Sequence, residues 1–243
     1  DYPGALSYYE AALQWDPADP IALFGKGASL HELSRPAESN AVLEVLIADD
    51  RLGRRLSRNE VDYYQGQAHY YRAYNFHVLG RADEARASID SARLRLPNSD
   101  GILYLSAVLY FERNELENAE RDFLAALANG SSQCHAHYYL GRIKHEKKDS
   151  KFIDYVLSTC HCFQSSLKNM AKHIQSVDSL DVEPAEREVF REMLKQRLDA
   201  FRAASVVSVR DLIRFVEASD IDRKQFYVDL ISEVLRQIES APR

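Results

Sequence analysis

The chain has 243 residues, 46% hydrophobic and 28% charged, enough for one large domain or two small ones with a packed core. Nine Gly and seven Pro are too few for a disordered, collagen-like or many-turned β chain, so long helices with few turns are expected. No apolar run approaches the roughly 20 residues needed to span a bilayer, and 31 Lys+Arg against 37 Asp+Glu give a net charge of −6, which argues against a general nucleic-acid binder.

Ala5, Tyr9, Ala12 and Pro17 stand at offsets of 0, 4, 7 and 12, one face of a helix followed by a stop. Asp1-Tyr2-Pro3 reads as the turn before that helix. Ser39, Leu43 and Leu46 are a weaker copy of the spacing. Ala85, Ile89, Ala92 and Pro97 repeat it in full. Ala119, Phe123 and Ala126 repeat it with Ser131 in the Pro slot, and Ile153, Leu157 and Cys160 are the weakest copy. The copies begin at 5, 39, 85, 119 and 153, so three gaps are 34 residues and one is 46. A small residue, Gly27, Ala73, Ala107 or Gly141, stands twelve positions before each later copy and lets two helices approach closely. Between the two signals lie Ser34-Arg35-Pro36, Gly80-Arg81-Ala82, Asn114-Glu115 and Lys148-Asp149. Each unit therefore reads as helix, tight turn, helix.

The extra twelve residues fall near 50–64. Ser57-Arg58-Asn59-Glu60 fits a capping box that starts a long helix reaching Leu79. Arg51, Arg54, Arg55 and Arg58 precede or open it. They read as a solvated connection, with an anion-binding loop as the alternative. Phe152 to Val177, free of Pro and Gly, reads as one helix. Asp181 and Pro184 mark the next start, with Val189, Phe190, Met193, Leu194, Leu198 and Phe201 on its stripe. Ser208 with Asp211 signals a separate short helix, and Asp220 a last one carrying Phe226, Leu230, Ile231, Val234, Leu235 and Ile238. These amphipathic helices are expected to continue and cap the stack.

The stretches GALSYYEAALQWDP, GRADEARASIDSARLRLP and NELENAERDFLAAL, spaced by 34 residues, resemble the tetratricopeptide repeat family over about residues 1–160. The resemblance implies an all-α, right-handed superhelical solenoid of antiparallel helix pairs, here residues 1–177, with a helical extension over 178–243. The first pair lacks its first helix, which is read as a sign that a longer protein has been cut, or else that an orphan helix caps the array. Ser39 and Arg51 depart from the small and Pro slots of the second repeat.

In the family the first helix of each pair lines a concave binding face. The resemblance assigns to that face Phe24, Tyr70, Tyr104 and Tyr138, with His31, His77, Phe111 and His145 one column along, and Tyr74 and Arg142 between them. An aromatic, histidine-rich groove of this kind suits a peptide or protein partner with apolar anchors, Arg142 and the histidines setting its orientation. Tyrosine in one of these columns is also ordinary repeat chemistry. Histidines there would make binding depend on pH between 5 and 8. Some family members clamp a carboxylate with Lys, Asn and Arg; only Arg142 would match, so that mode is not supported.

Cys134, His137 and Cys160 converge if the last copy is read without a gap, which leaves a metal site, a Cys134–Cys160 disulfide or buried thiols as readings, buried thiols preferred. A shifted register with Thr159, Phe163 and Ser166 in the slots moves Cys160 away. Three cysteines argue against a disulfide-stapled secreted scaffold and favour the cytoplasm, although an upstream signal or anchor would not show in these residues. No phosphate loop, dinucleotide fingerprint, zinc helix or nucleophile elbow occurs. Glu183, Glu186, Glu188 and Glu192 lie among Arg187, Arg191 and Lys195 and read as a solvated face.

The sequence thus points to a non-catalytic scaffold that binds a protein or peptide without a cofactor, nucleic acid or membrane insertion. The alternative is a docking or regulatory segment of a larger enzyme or signalling protein whose other domain precedes residue 1. Self-association through the open first helix, at Tyr9, Ala12 and Leu13, is a further expectation.

Overall fold

The computed structural model describes residues 2–130 and 134–240, so Asp1 and Ser131, both used in reading the repeat, lie outside the described residues. The described residues form eleven α-helices. They fall into two compact units, Asp1–Ser131 and Ser132–Arg243. The first holds α1 (Tyr2–Trp15), α2 (Pro20–Glu32), α3 (Pro36–Ala48), α4 (Arg58–Val78), α5 (Ala82–Arg95), α6 (Asp100–Glu112) and α7 (Leu116–Ala128). The second holds α8 (Cys134–Glu146), α9 (Phe152–Ser176), α10 (Pro184–Ala218) and α11 (Lys224–Ser240). Consecutive helices pack as antiparallel pairs, α2 with α3, α4 with α5, α6 with α7, α8 with α9 and α10 with α11, while α1 packs on α2. The all-α, paired architecture expected from the repeat is what the chain adopts.

Local chemistry sets the pair boundaries. Asp19 caps α2, its carboxylate accepting from the Ile21 and Ala22 amides at 2.8 and 3.2 Å, with Pro20 in the first turn where no amide is needed. Ser57 and Glu60 form the expected reciprocal capping box, and α4 ends at Val78 with Leu79 as its cap. Each of the four expected intrapair turns contains one left-handed residue: Ser34, Gly80, Asn114 and Lys148 have φ of 58°, 71°, 60° and 54°. A single residue in that conformation reverses the chain within a few positions, and Gly and Asn adopt it at least cost. The start of α1 differs from expectation. Tyr2 and Pro3 lie inside its first turn rather than before it.

In the first unit, the repeat slots are the core. Ser39, Leu43 and Leu46, Ala85, Ile89 and Ala92, and Ala119, Phe123 and Ala126 are all essentially inaccessible to water. Ser39 fills its small slot after all, because its hydroxyl donates to the Gly27 carbonyl at 2.8 Å. A side chain on Gly27 would come within 2.4 Å of the Leu43 Cδ2, so α2 and α3 meet where only glycine fits. The Arg-rich connection is pinned rather than loose. Leu52 is buried in a short 3₁₀ turn, Arg55 donates to Asp16 at 2.7 Å and to the Ala18 carbonyl at 3.1 Å, and Arg51 pairs with Asp49. Two of its arginines thus already hold the chain's own carboxylates, which leaves the anion-binding alternative without support.

Several expectations change in the second unit. The slots of α9 shift by one residue: Val156 and Thr159 are buried, whereas Ile153 and Leu157 are only half-buried. Cys134 is bonded to Cys162, with Cα atoms 5.4 Å apart, and Cys160 is a free buried thiol. Residues two apart on a helix point to different sides, so a small rotation of α9 decides which cysteine meets α8. The separate helix expected at Ser208 does not exist, since α10 runs unbroken for 35 residues. No Gly or Pro interrupts Ala203–Val209, and the Ser205 hydroxyl is satisfied inside the helix by the Phe201 carbonyl at 2.7 Å. The expected stripe on α10 is only partly used. Leu198 is buried, but Val189 and Phe190 are exposed. On α11, which begins at Lys224, Ile231 and Ile238 are buried while Phe226 and Leu230 face water.

Candidate peptide-binding face

The column residues on α2 and α4 gather where these two helices meet, while Tyr104 and Phe111 stand on α6. Phe24 and His31 stand seven apart on α2, as Tyr64 and Tyr71 do on α4, so two helical faces of equal spacing oppose each other. Phe24 lies 5.6 Å from Tyr64 and 5.9 Å from Tyr71, centroid to centroid. His31 lies 5.0 Å from Tyr71 and 4.9 Å from Tyr74, edge to face in both pairs. Tyr63 extends the run from Tyr64, Tyr70 joins it through Tyr71, and Tyr74 continues towards His77 at 6.4 Å. Edge-to-face packing holds such rings at fixed angles. One side of the run is therefore helix seam. Its other side opens to water, with Tyr63 48% and Tyr74 40% exposed.

A buried polar network fixes the histidine. The Asn75 amide nitrogen donates to the Ser39 hydroxyl and to the Asn40 side-chain oxygen, both at 2.9 Å. Its oxygen is then left to accept from Nδ1 of His31 at 2.7 Å. That assignment places the proton of a neutral His31 on Nδ1 and leaves Nε2 as an acceptor. His77 approaches Glu112 of α6 at 3.4 Å, which ties the next pair of first helices together.

The acidity of the tyrosines follows their surroundings. Burial pushes the Tyr70 phenol up to about 12, helped by Tyr71, Tyr74, Asp100 and Glu32. Tyr71 is raised for the same reasons, burial first and Glu32 second. Both remain neutral donors. Tyr104 packs its ring 5.7 Å from Phe123 of α7, so it leans into its own pair, and Phe111 is half-buried.

Tyr138, Arg142 and His145 sit in the second unit and are engaged there by α10. Tyr138 is 8% exposed and its hydroxyl donates to Asp211 at 3.4 Å. The Arg142 guanidinium lies 5.8 Å from the Tyr138 ring and 5.6 Å from Phe215. His145 packs 5.3 Å from Phe152 and 5.5 Å from Phe215. These three residues line a helix seam.

Cys134, His137 and Cys160 are not brought together, since Cys134 is held by Cys162. Among the described residues no group of three His, Cys, Asp or Glu side chains is placed to hold a metal ion. The Cys160 thiol is pushed up to about 12 by burial, the opposite of an activated nucleophile. Asp122, buried and hydrogen-bonded by Arg93, Ser106 and Arg121, ties α5, α6 and α7 together. Sequence reasoning missed Tyr63, Tyr64, Tyr71 and Asn75. The first three were visible as Tyr-Tyr pairs seven residues apart on one helix. Asn75 carried no local signal, because its partners are 35 to 44 residues away.

No family model and no curated protein matches the chain. Solved structures do. A crystal structure of MamA aligns with a TM-score of 0.55 at 15% identity, over 69% of this chain and 92% of that one. MamA from Desulfovibrio magneticus RS-1 aligns with a TM-score of 0.50 at 18% identity, over 68% and 86%. YrrB, described as a TPR protein with an unusual peptide-binding site, aligns at 0.49 and 17% identity, over 66% and 77%. At these identities the likeness to MamA concerns architecture alone, and it agrees with the 34-residue period and the sequential antiparallel pairs: the chain has the tetratricopeptide-repeat fold.

Proposed function

We propose that the chain is a non-catalytic interaction scaffold and that the aromatic, histidine-bearing face of its first unit holds a peptide segment of a protein partner. Proteins of this fold generally mediate protein and peptide binding. The observation that carries the reading here is the run of rings from Tyr63 to His77, packed on one side and open on the other. Rings already held by neighbours lose little rotamer freedom when a partner covers them, so their area turns efficiently into affinity. The contact residues are Phe24, His31, Tyr70, Tyr74, His77, Tyr104 and Phe111, with Tyr63 and Tyr71 added. Tyr138, Arg142 and His145, in the second unit, contact α10 residues there.

The test is a pull-down with wild type against a Tyr63→Ala/Tyr74→Ala variant, both positions exposed enough to change without opening the core. Selective loss of a specific protein supports the face. An unchanged set of captured proteins counts against it.

A second reading concerns α1. Its slot residues Ala5 and Ala12 are half-buried where the later copies are sealed, and Trp15 is 93% exposed. That face suits another helix, so sedimentation of wild type against Trp15→Ala is expected to reveal self-association if α1 mediates it.

A further inference from the structure

The aromatic face of the first unit carries an uneven distribution of charge. Lys26 and Arg72 are the bases within α2 and α4 near the rings, and both stand one position before the small residue. Lys26 is turned to Glu10 of α1 at 3.1 Å and Arg72 to Glu44 of α3 at 2.6 Å. Helix α6 contains no Lys or Arg. The columns that face the groove, Phe24, Ala28 and His31, Tyr70, Tyr74 and His77, and Tyr104, Val108 and Phe111, hold no Lys or Arg either. The next position along in the outer pairs is acidic, Glu32 on α2 and Glu112 on α6, both exposed. Glu32 and Asp100 lie close enough to Tyr70 to act on its phenol.

The second unit shows what such columns accept. There the chain supplies its own cation. Arg142 stands one position after the small Gly141 and lies against the ring of Tyr138. The equivalent positions in the first unit are Ala28, Tyr74 and Val108, so no Lys or Arg follows the small residue there, and Arg72 of α4 lies 5.4 Å from the Phe76 ring, outside these columns. A guanidinium or ammonium over a tyrosine face is attracted by the ring quadrupole, and nearby carboxylates add to that attraction.

We propose that the first unit selects a basic segment, a Lys or Arg of which lies across the Tyr71/Tyr74 rings as Arg142 lies across Tyr138, with Glu32 and Glu112 answering its charge. The proposal rests on the peptide-binding reading above and names the partner's chemistry. The acceptor Nε2 of His31 offers the same segment a hydrogen bond from an N–H donor.

The test uses the full chain and an array of short peptides with fixed apolar positions and variable positions set to Lys/Arg, Ser/Gln or Asp/Glu. Wild type is expected to bind the Lys/Arg set, more weakly as salt is raised. The Glu32→Gln/Glu112→Gln variant is expected to lose about tenfold in affinity for that set, and Tyr74→Ala at least as much, while Tyr74→Phe retains binding. Equal or tighter binding of Ser/Gln or Asp/Glu peptides, still lost in Tyr74→Ala, overturns the basic-segment proposal and leaves the groove standing. Lys/Arg binding unaffected by Glu32→Gln/Glu112→Gln also overturns it. If no peptide binds in a Tyr74-dependent way, both readings fall.

Discussion

Asn75 is buried and holds His31, Ser39 and Asn40 at once, so it joins α2, α3 and α4 through one side chain. Replacing it with Ala leaves the Asn40 oxygen and the His31 Nδ1 without that partner. The expected cost is about 1–3 kcal/mol, the price of a buried polar group left unmatched, read as a lower midpoint in urea unfolding. The ring of His31 also loses its fixed orientation, so peptide affinity is expected to fall together with stability. Gly27 is a contrasting case. Its partner Leu43 would be struck by any added carbon, and Gly27→Ala is expected to destabilise by about 1–3 kcal/mol through overpacking, against the usual gain in helix propensity from Gly to Ala. A midpoint equal to or above wild type would refute that close approach. The need for a small residue at 27 was legible, because it recurs with the repeat. Asn75 was not, because nothing in its neighbours along the chain announces a polar hub.

Helices show the same division. The capping box at Ser57, the positions of the intrapair turns and the long α9 were all legible, since caps, turn residues and breakers act within a few positions of themselves. Rotation about a helix axis was not. The weak copy at 153–160 left two registers open, the ungapped one preferred, and packing buries Thr159 and Phe163 of the other, with Val156 against Gly141 and Cys162 facing Cys134. Thiol titration tests this. Denatured, unreduced protein is expected to show one reactive thiol and reduced protein all three of its cysteines. Reduction opens a crosslink between residues 28 apart. It is expected to lower the unfolding midpoint, by an amount on the order of 3 kcal/mol if loop entropy dominates. Peptide mapping that pairs Cys134 with Cys160 would show the shifted rotation of α9 to be wrong. The continuous α10 teaches the converse lesson. Ser208 and Asp211 form a valid start signal, yet a start needs a preceding stop, and Ala203–Val207 supplies none.

Across the whole chain, several histidines are held neutral by burial. His69 is pushed down to about 4, chiefly by desolvation and then by Arg72 and Arg95. His135 and His137 are lowered by desolvation alone. The unfolded chain takes up protons near 6.5 where the folded chain resists them. Stability from these groups is therefore complete above about pH 6.5 and is lost as pH falls towards 4 through the folded value of His69. A denaturation series from pH 7.5 to 4.5 is expected to show steadily lower midpoints, and His69→Gln is expected to flatten the slope. A pH-independent midpoint would mean that these rings reach water. No described helix is long and apolar enough to cross a membrane.

What the sequence determined by itself was the succession of helix pairs. A 34-residue period, small residues at the close contacts and turn residues between them are local or strictly periodic signals, and each helix pair can form from its own stretch of chain. The tertiary structure decided which side of each aromatic residue is spent. Phe24, His31, Tyr71 and Tyr74 meet across α2 and α4 with Tyr74 still exposed, whereas Tyr138, buried, and Arg142 and His145, half-buried, pack against α10. Column position assigned all of them to one role. The difference arises because exposure depends on the rotation and depth of a neighbouring helix tens of residues away, and the sum of many packing contacts sets that rotation, not any one residue.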